Sequence, residues 1–192
     1  MFEKTTNKKI GKIILFSGPS GAGKTTIANK ILDLDKSFKK IVTCTTRAPR
    51  IGEIDGQDYH FLSKDQFLDL IKKDEFIEYA VVYDNYYGSL KKEVLDIINS
   101  GKNVLFVVDI VGALTIKKKF PESISFFIKT NDLVELENRL IKRGKDTPNI
   151  IKQRLTKAID ELKVENKFDY IIENNFIADT TKKIITLIKN HN

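Results

Sequence analysis

The sequence predicts an α/β protein built on a parallel sheet, and three observations carry that expectation. Short, nearly unbroken apolar runs (KIILF at 12–16, VLFVVD at 104–109, ISFFI at 124–128) look like strands covered on both faces. They alternate with stretches whose apolar residues recur at helical spacing, the pattern of right-handed crossover units. The first run leads straight into a glycine-rich loop, SGPSGAGKTT, and then into a helix pattern.

Composition agrees. The 192 residues are close to one ordinary domain, and 41% hydrophobic with 31% charged residues excludes both a disordered chain and a membrane protein. The longest uncharged apolar run, Val104 to Val108, is far short of the roughly 20 residues a bilayer needs, and MFEKTTNKKIGK lacks the apolar stretch of a signal peptide. A single cysteine, Cys44, closes no intrachain disulfide, so a reducing cytoplasm is the expected compartment.

In chain order, the loop opens a helix with Ile27, Ile31 and Leu32 on one face. Residues 41–62 show no helical period and carry Thr, Arg, Pro and Gly before the strand-like DYHFL. Ser63 and Gln66 form a capping-box pattern for a helix holding Phe67, Leu68 and Ile71. FIEYAVVY reads as a strand, and Leu90 to Ser100 as a helix closed by Gly101. A short helix over about 111–119 precedes ISFFI. Asn131 or Asp132 then caps a helix through Arg143 that stops at Gly144. Thr147 before Pro148 starts another, with Ile151, Leu155, Ile159 and Leu162 on its apolar face. The strand DYIIEN and a helix over about 179–190 finish the chain. The piece from about 42 to 89 breaks the alternation and reads as a subdomain inserted into the core.

Gly18, Gly23, Lys24 and Thr25 match G-x-x-x-x-G-K-[ST], the loop that cradles nucleotide phosphates. Glycines let backbone N–H groups wrap a phosphate, and the following helix adds its positive end. Lys24 reaches the outer phosphates and the Thr25 hydroxyl coordinates Mg²⁺. Asp109 ends an apolar strand, where an acid can hold a magnesium-bound water; a purely structural strand-end Asp is the competing reading.

The net charge of +7 suits a polyanionic partner. Only five of the 33 basic residues are Arg: Arg47, Arg50, Arg139, Arg143 and Arg154. Confining the planar, permanently charged fork to two stretches points to a site that grips phosphate. The lysines, mixed with acids in segments such as LIKKDEF, read as solvated faces.

On SGPSGAGKTT, VTCTTRAPRIGEIDGQDYHF, FIEYA, NYYGS and RLIKRGKDTPNIIKQRL leading into A-x-x-E-L at Ala158 to Leu162, the chain resembles the guanylate kinase family from about residue 12 to residue 175. The resemblance implies a P-loop kinase fold: a parallel core (1–41, 90–141 and 157–192), a mixed α/β GMP-binding subdomain at about 42–89, and a small helical lid at about 142–156. It implies Mg²⁺-dependent transfer of phosphate from ATP to GMP, with dGMP a further candidate acceptor, and no nucleic-acid or membrane partner. Oligomeric state is left open.

Residue by residue, the resemblance places Gly18, Pro19, Ser20, Gly21, Ala22, Gly23, Lys24, Thr25 and Thr26 around ATP, with Asn174 near adenine. Arg47, Arg50, Tyr59 and Tyr87 fall on the GMP phosphate, and Thr43, Glu78, Gly88, Ser89 and Asp109 on the guanine side. Lys24, Arg139, Arg143 and Arg154 fall on the transferring phosphoryl group. Glu78 suits guanine because a carboxylate accepts its two adjacent donors, a pair adenine does not offer. Packing roles for the tyrosines and a solvated strand face for Glu78 are the competing readings.

The chain departs from the family pattern at Val107, where an acid is usual, at Val111 in place of a glutamine, at Thr43 in place of a serine, and at Pro148 and Asn149 in the lid. Three other functions compete. A catalytically inactive phosphopeptide-binding relative would lack the loop lysine and lid arginines, a nucleic-acid binder would show a recognition motif, and a kinase for another nucleoside monophosphate would keep the enzyme but change the acceptor.

Overall fold

A computed structural model describes residues 10–82, 84–144 and 146–191. The segment 1–9 used above, Tyr83 at the end of FIEYAVVY and Lys145 in the expected lid lie outside them. The elements up to the end of the second sheet are β1 (Ile13–Ser17), α1 (Lys24–Leu34), β2 (Phe38–Lys40), β3 (Cys44–Thr45), β4 (His60–Phe61), α2 (Lys64–Lys72), β5 (Phe76–Val82) and β6 (Asn85–Leu90). Then follow α3 (Lys91–Asn99), β7 (Asn103–Val107), α4 (Ile110–Lys119), β8 (Ile124–Lys129), α5 (Leu133–Lys142), α6 (Pro148–Leu162), β9 (Tyr170–Glu173) and α7 (Ile177–Asn190).

Five strands in the order β2-β7-β1-β8-β9 form the main sheet, and every pairing is parallel. The alternation of β1 divides the core. Ile14 and Phe16 point to one face and pack with Ile27 and Ile31 of α1 and Ile184 and Ile188 of α7. Ile13 and Leu15 point to the other, against Val94 and Ile97 of α3 and Ile116 of α4. All five β1 residues are buried, so the strand has no polar face, as a central parallel strand requires.

The second sheet, ordered β4-β3-β6-β5, is mixed: β3 pairs parallel with β4, while β6 runs antiparallel to both β3 and β5. Its own small core stacks Phe67 on Phe76, ring centroids 4.4 Å apart. Next to Phe76 on β5, Ile77 belongs to the main body, buried among Val104, Phe106 and Ile116, its carbonyl accepting from Lys119 Nζ at 2.6 Å. Leu136, Leu140, Ile151 and Ala158 lock α5 to α6.

Most expected helix starts carry the caps read from the sequence. Ser63 and Gln66 exchange both capping-box bonds, Asp132 accepts from Glu135 N–H at 2.7 Å, and Thr147 precedes α6.

Three expectations are corrected. Ile159 is 46% exposed, and Ala158 takes the buried position in its turn, because a 3.6-residue period drifts past a strict i+4 series. The last helix begins at Ile177 rather than 179. The strand before Asp109 stops at Val107, since Asp109 turns to cap α4. The edge strand β2 has Phe38 as its only apolar residue, so no sequence pattern marks it. No helix of the described residues is long and apolar enough to cross a membrane.

Candidate active site

The glycine loop lies where β1 ends, pressed against neighbouring strands. Gly18 has φ 123°, and a Cβ there would sit 2.1 Å from the Ile128 carbonyl oxygen; at Gly23, φ 93°, it would sit 2.3 Å from Asn174 Nδ2. Only glycine meets both the conformation and the clearance. The Lys24 ammonium folds back under the loop, donating to the Gly18 and Pro19 carbonyls. Burial lowers its pKa to about 8, with Arg143 and Lys157 pushing the same way and Glu161 and Asp109 opposing.

Asn174 is fully buried behind the loop, its amide donating to the Ala22 carbonyl at 2.8 Å while its Oδ1 has no partner. It therefore braces the loop from behind. Arg154, on α6, donates to Ser20 Oγ and pairs with Asp146 at 3.1 Å, tying the α5–α6 unit to the loop. Arg139 and Arg143, expected on one helix face, are separated. Arg143 is the C-cap of α5, past the last helical residue, and lines the cavity, whereas Arg139 bonds Glu135 and the Asn174 carbonyl.

Across from the loop stands the second sheet. Glu78, on β5, is only 4% exposed, so it is no solvated strand face. Ser89 Oγ, on the neighbouring β6, donates to Glu78 Oε1 at 2.8 Å. Burial pushes the Glu78 carboxyl up to about 7, and the nearby Asp109 charge adds to this, while the Ser89 bond and Lys119 oppose it. A Cβ on Gly112 would come within 2.9 Å of Glu78 Oε2, so a glycine at the start of α4 leaves the carboxylate its place. Gly88 likewise lets β6 lie on Phe67 and Phe76.

The Arg47 guanidinium is held on several sides. It donates to both oxygens of Glu53 at 2.9 Å and to the Ala48 carbonyl, and it lies over the rings of Tyr59 and Phe61. Glu53 also accepts the Arg50 backbone N–H at 2.8 Å. Tyr59 packs edge-on against Tyr87, centroids 6.1 Å apart.

Both sides face one cavity of about 290 Å³. Its wall takes Gly18, Ser20, Lys24 and Thr25 from the loop and Arg143 and Arg154 from the helix pair. Thr43, Arg50, Tyr59, Glu78 and Tyr87 come from the second sheet and its loops, and Asp109 from the start of α4. Pro19, Gly21, Ala22 and Gly23 build the loop's framework, and Thr26 is an exposed residue of α1. Arg47, Gly88, Ser89, Arg139 and Asn174 stand behind the wall.

Comparison with known proteins shows the family to which the chain belongs. Residues 10–191 match the family model described as guanylate kinase. Curated guanylate kinases from Clostridium perfringens strain SM101 and Clostridium tetani strain E88 are 40% and 42% identical to the chain. The matches cover 98% and 93% of this chain and 87% and 85% of the relatives. The crystal structure of guanylate kinase from Anaplasma phagocytophilum superimposes with a TM-score of 0.79 at 32% identity, covering 95% of this chain and 86% of that one.

The chain belongs to the guanylate kinase family. It is an ATP:GMP phosphotransferase with the family's α/β fold.

Three further side chains stand at the cavity or behind its wall. Glu53 sits inside the quoted RIGEIDG and Glu161 inside A-x-x-E-L, so their motifs were visible while their contacts were not. Burial pushes the Glu161 carboxyl up while Lys24 and Lys157 pull it down. Lys157 also lines the cavity, and nothing in R-L-T-K-A set it apart from a surface lysine. Cys44 is free and buried, its thiol pushed up to about 12 chiefly by burial, which makes it a packing residue and not a nucleophile.

Proposed function

We propose that the loop side of the cavity holds ATP and the sheet side holds GMP, so that the division into core, GMP-binding subdomain (about 42–89) and lid (about 142–156) is also a division of labour. One observation carries this reading: Lys24, at the phosphate loop, and Glu78, the buried carboxylate, line the same cavity. Glu78 takes the N1–H and amino donors of guanine, supported by Ser89 and Thr43. Arg50, Tyr59 and Tyr87 grip the GMP phosphate, with Arg47 holding their loop in shape. The scheme reads base and phosphate, so it extends to dGMP.

On the donor side, loop N–H groups and Lys24 hold the outer phosphates of ATP, and Arg143 and Arg154 close over the phosphoryl group from the lid. These cations orient the reactants and neutralise charge on equatorial oxygens. Mg²⁺ fits the donors present. The Thr25 hydroxyl and the Asp109 carboxylate both line the cavity, and no cluster of three His, Cys, Asp or Glu forms an all-protein cage among the described residues. Such a sparse oxygen set suits an ion that keeps waters and substrate phosphates as ligands. Thr25 would hold it, and when bound it supplies charge neutralisation on the phosphates. A free buried thiol suits a reducing cytoplasm.

The test is ADP release measured with GMP, AMP, CMP and UMP, in the wild type and in Glu78→Ala. The wild type is expected to favour GMP strongly and the variant to lose most of that preference. An undiminished preference for GMP in Glu78→Ala would remove the carboxylate from the acceptor site.

A further inference from the structure

Helix α6 turns more charge toward the cavity than Arg154 alone. Arg154, Lys157 and Glu161 follow one another at spacings of three and four residues, which puts them on one helix face, and all three line the cavity. Lys157 Nζ lies 3.8 Å from Glu161 Oε1, with Glu161 the more buried partner. That separation is longer than a hydrogen bond. Lys24 feels the charges of Arg143, Lys157 and Glu161 together, and Glu161 feels both lysines. Lys157 thus stands within electrostatic reach of the phosphates that Lys24 serves. The charges acting on Tyr59, across the cavity, come instead from Arg47, Glu53 and Arg50 and from Tyr87.

We propose that Lys157 is a further phosphate-binding residue of this kinase: its ammonium swings from Glu161 onto the phosphate tail of ATP, beside Lys24 and Arg154, and leaves Glu161 as counter-charge to Lys24. This rests on the assignment of the loop side to ATP. A phosphate oxygen offers the Lys157 ammonium a short charge-assisted hydrogen bond. Glu161 then keeps a neighbouring cation, so the exchange leaves no carboxylate unpartnered.

Steady-state kinetics on Lys157→Gln, Lys157→Arg and Lys152→Gln test the proposal, Lys152 being an exposed lysine of the same helix. Lys157→Gln is expected to raise KM for ATP about tenfold, to leave KM for GMP within about twofold, and to weaken the dependence of KM for ATP on salt. Lys157→Arg is expected to restore most of the loss, and Lys152→Gln to change neither constant. Melting temperatures establish that the variants are folded, and Lys157→Met serves if Lys157→Gln is not.

Equal KM for ATP in Lys157→Gln and Lys152→Gln overturns the proposal. A rise confined to KM for GMP overturns it too, by moving Lys157 to the acceptor phosphate. Lys24→Ala, run alongside, separates the two levels of failure: near wild-type turnover there would remove the ATP assignment itself, whereas an inactive Lys24→Ala beside an unaffected Lys157→Gln removes only the role of Lys157.

Discussion

The two walls of the cavity are held by different physics. On the loop wall the shape is made by backbone, with Gly18 and Gly23 at positive φ against Ile128 and Asn174, where no side chain would fit. On the sheet wall the shape is made by side chains holding one another, Glu53 on Arg47 and Ser89 on Glu78, over strands that any suitable sequence could form. A backbone site demands particular residues at fixed spacing and tolerates little change. A side-chain site depends on which side chains hold one another, and its chemistry is tuned by burial and neighbouring charge. Substitutions on the loop wall should therefore act mainly on rate, and those on the sheet wall mainly on GMP affinity and its pH dependence.

The largest expected effect is on the loop wall. Lys24→Ala should lower kcat by a factor on the order of 10²–10³, because it removes a preorganised charge from the transferring phosphates. Its KM for GMP should stay within about threefold, as no sheet-wall group bonds Lys24. A comparable rise in KM for GMP would show that the two walls are not separable.

Arg154→Lys comes next. It keeps the charge but loses the planar fork that at present spans Ser20 and Asp146. A loss of roughly ten- to thirtyfold in kcat/KM for ATP is expected, most of what Arg154→Ala loses. Near-complete rescue by lysine would mean that charge alone suffices on this wall.

Glu53→Gln sharpens the comparison from the other side. It weakens the double contact to Arg47 and the bond to the Arg50 backbone, so the loop carrying Arg50 and Tyr59 loses its brace. KM for GMP should rise about tenfold with kcat within about twofold, a split that an unfolded subdomain would not produce. Unchanged KM would show that the Arg47 fork holds its place on Tyr59 and Phe61 without the carboxylate.

The same contrast explains what the sequence made legible. The loop, the capping box of Ser63 and Gln66 and the caps Asp132 and Thr147 are local demands, written within a few residues of where they act. The short strand β2 has one apolar residue and owes its place to pairing with β7, which no local pattern announces. The roles of Glu53, Lys157 and Glu161 depend on which partners the fold brings near. The same holds for Arg139 and Asn174: their motif positions were readable, but only the fold shows them bonded to each other behind the wall. At Val107 the cavity wall is apolar, and Asp109 is a charge that raises the Glu78 carboxyl.

That last point carries the smallest expected effect. With its carboxyl pushed to about 7, Glu78 holds a proton over part of the working pH range, and guanine's two donors need the ionised form. Ionisation falls about fourfold between pH 8 and pH 6.5 for such a group, and kcat/KM for GMP should fall with it. The GMP phosphate also titrates, near pH 6, but equally in every variant. Glu78→Gln, weaker at pH 8, should therefore lose the Glu78 part of the slope and keep the phosphate part.

Stability gives a second readout with a defined sign. Between the ordinary carboxyl value of 4.5 and about 7 the folded state keeps a proton that the unfolded state releases. The wild type should thus lose stability as pH rises through that window, by an amount on the order of 1–3 kcal/mol, while Glu78→Gln stays flat. Equal pH slopes in both proteins, for kcat/KM and for melting temperature alike, would mean that Glu78 is ionised throughout, and the sheet wall would then be no more pH-tuned than the loop wall.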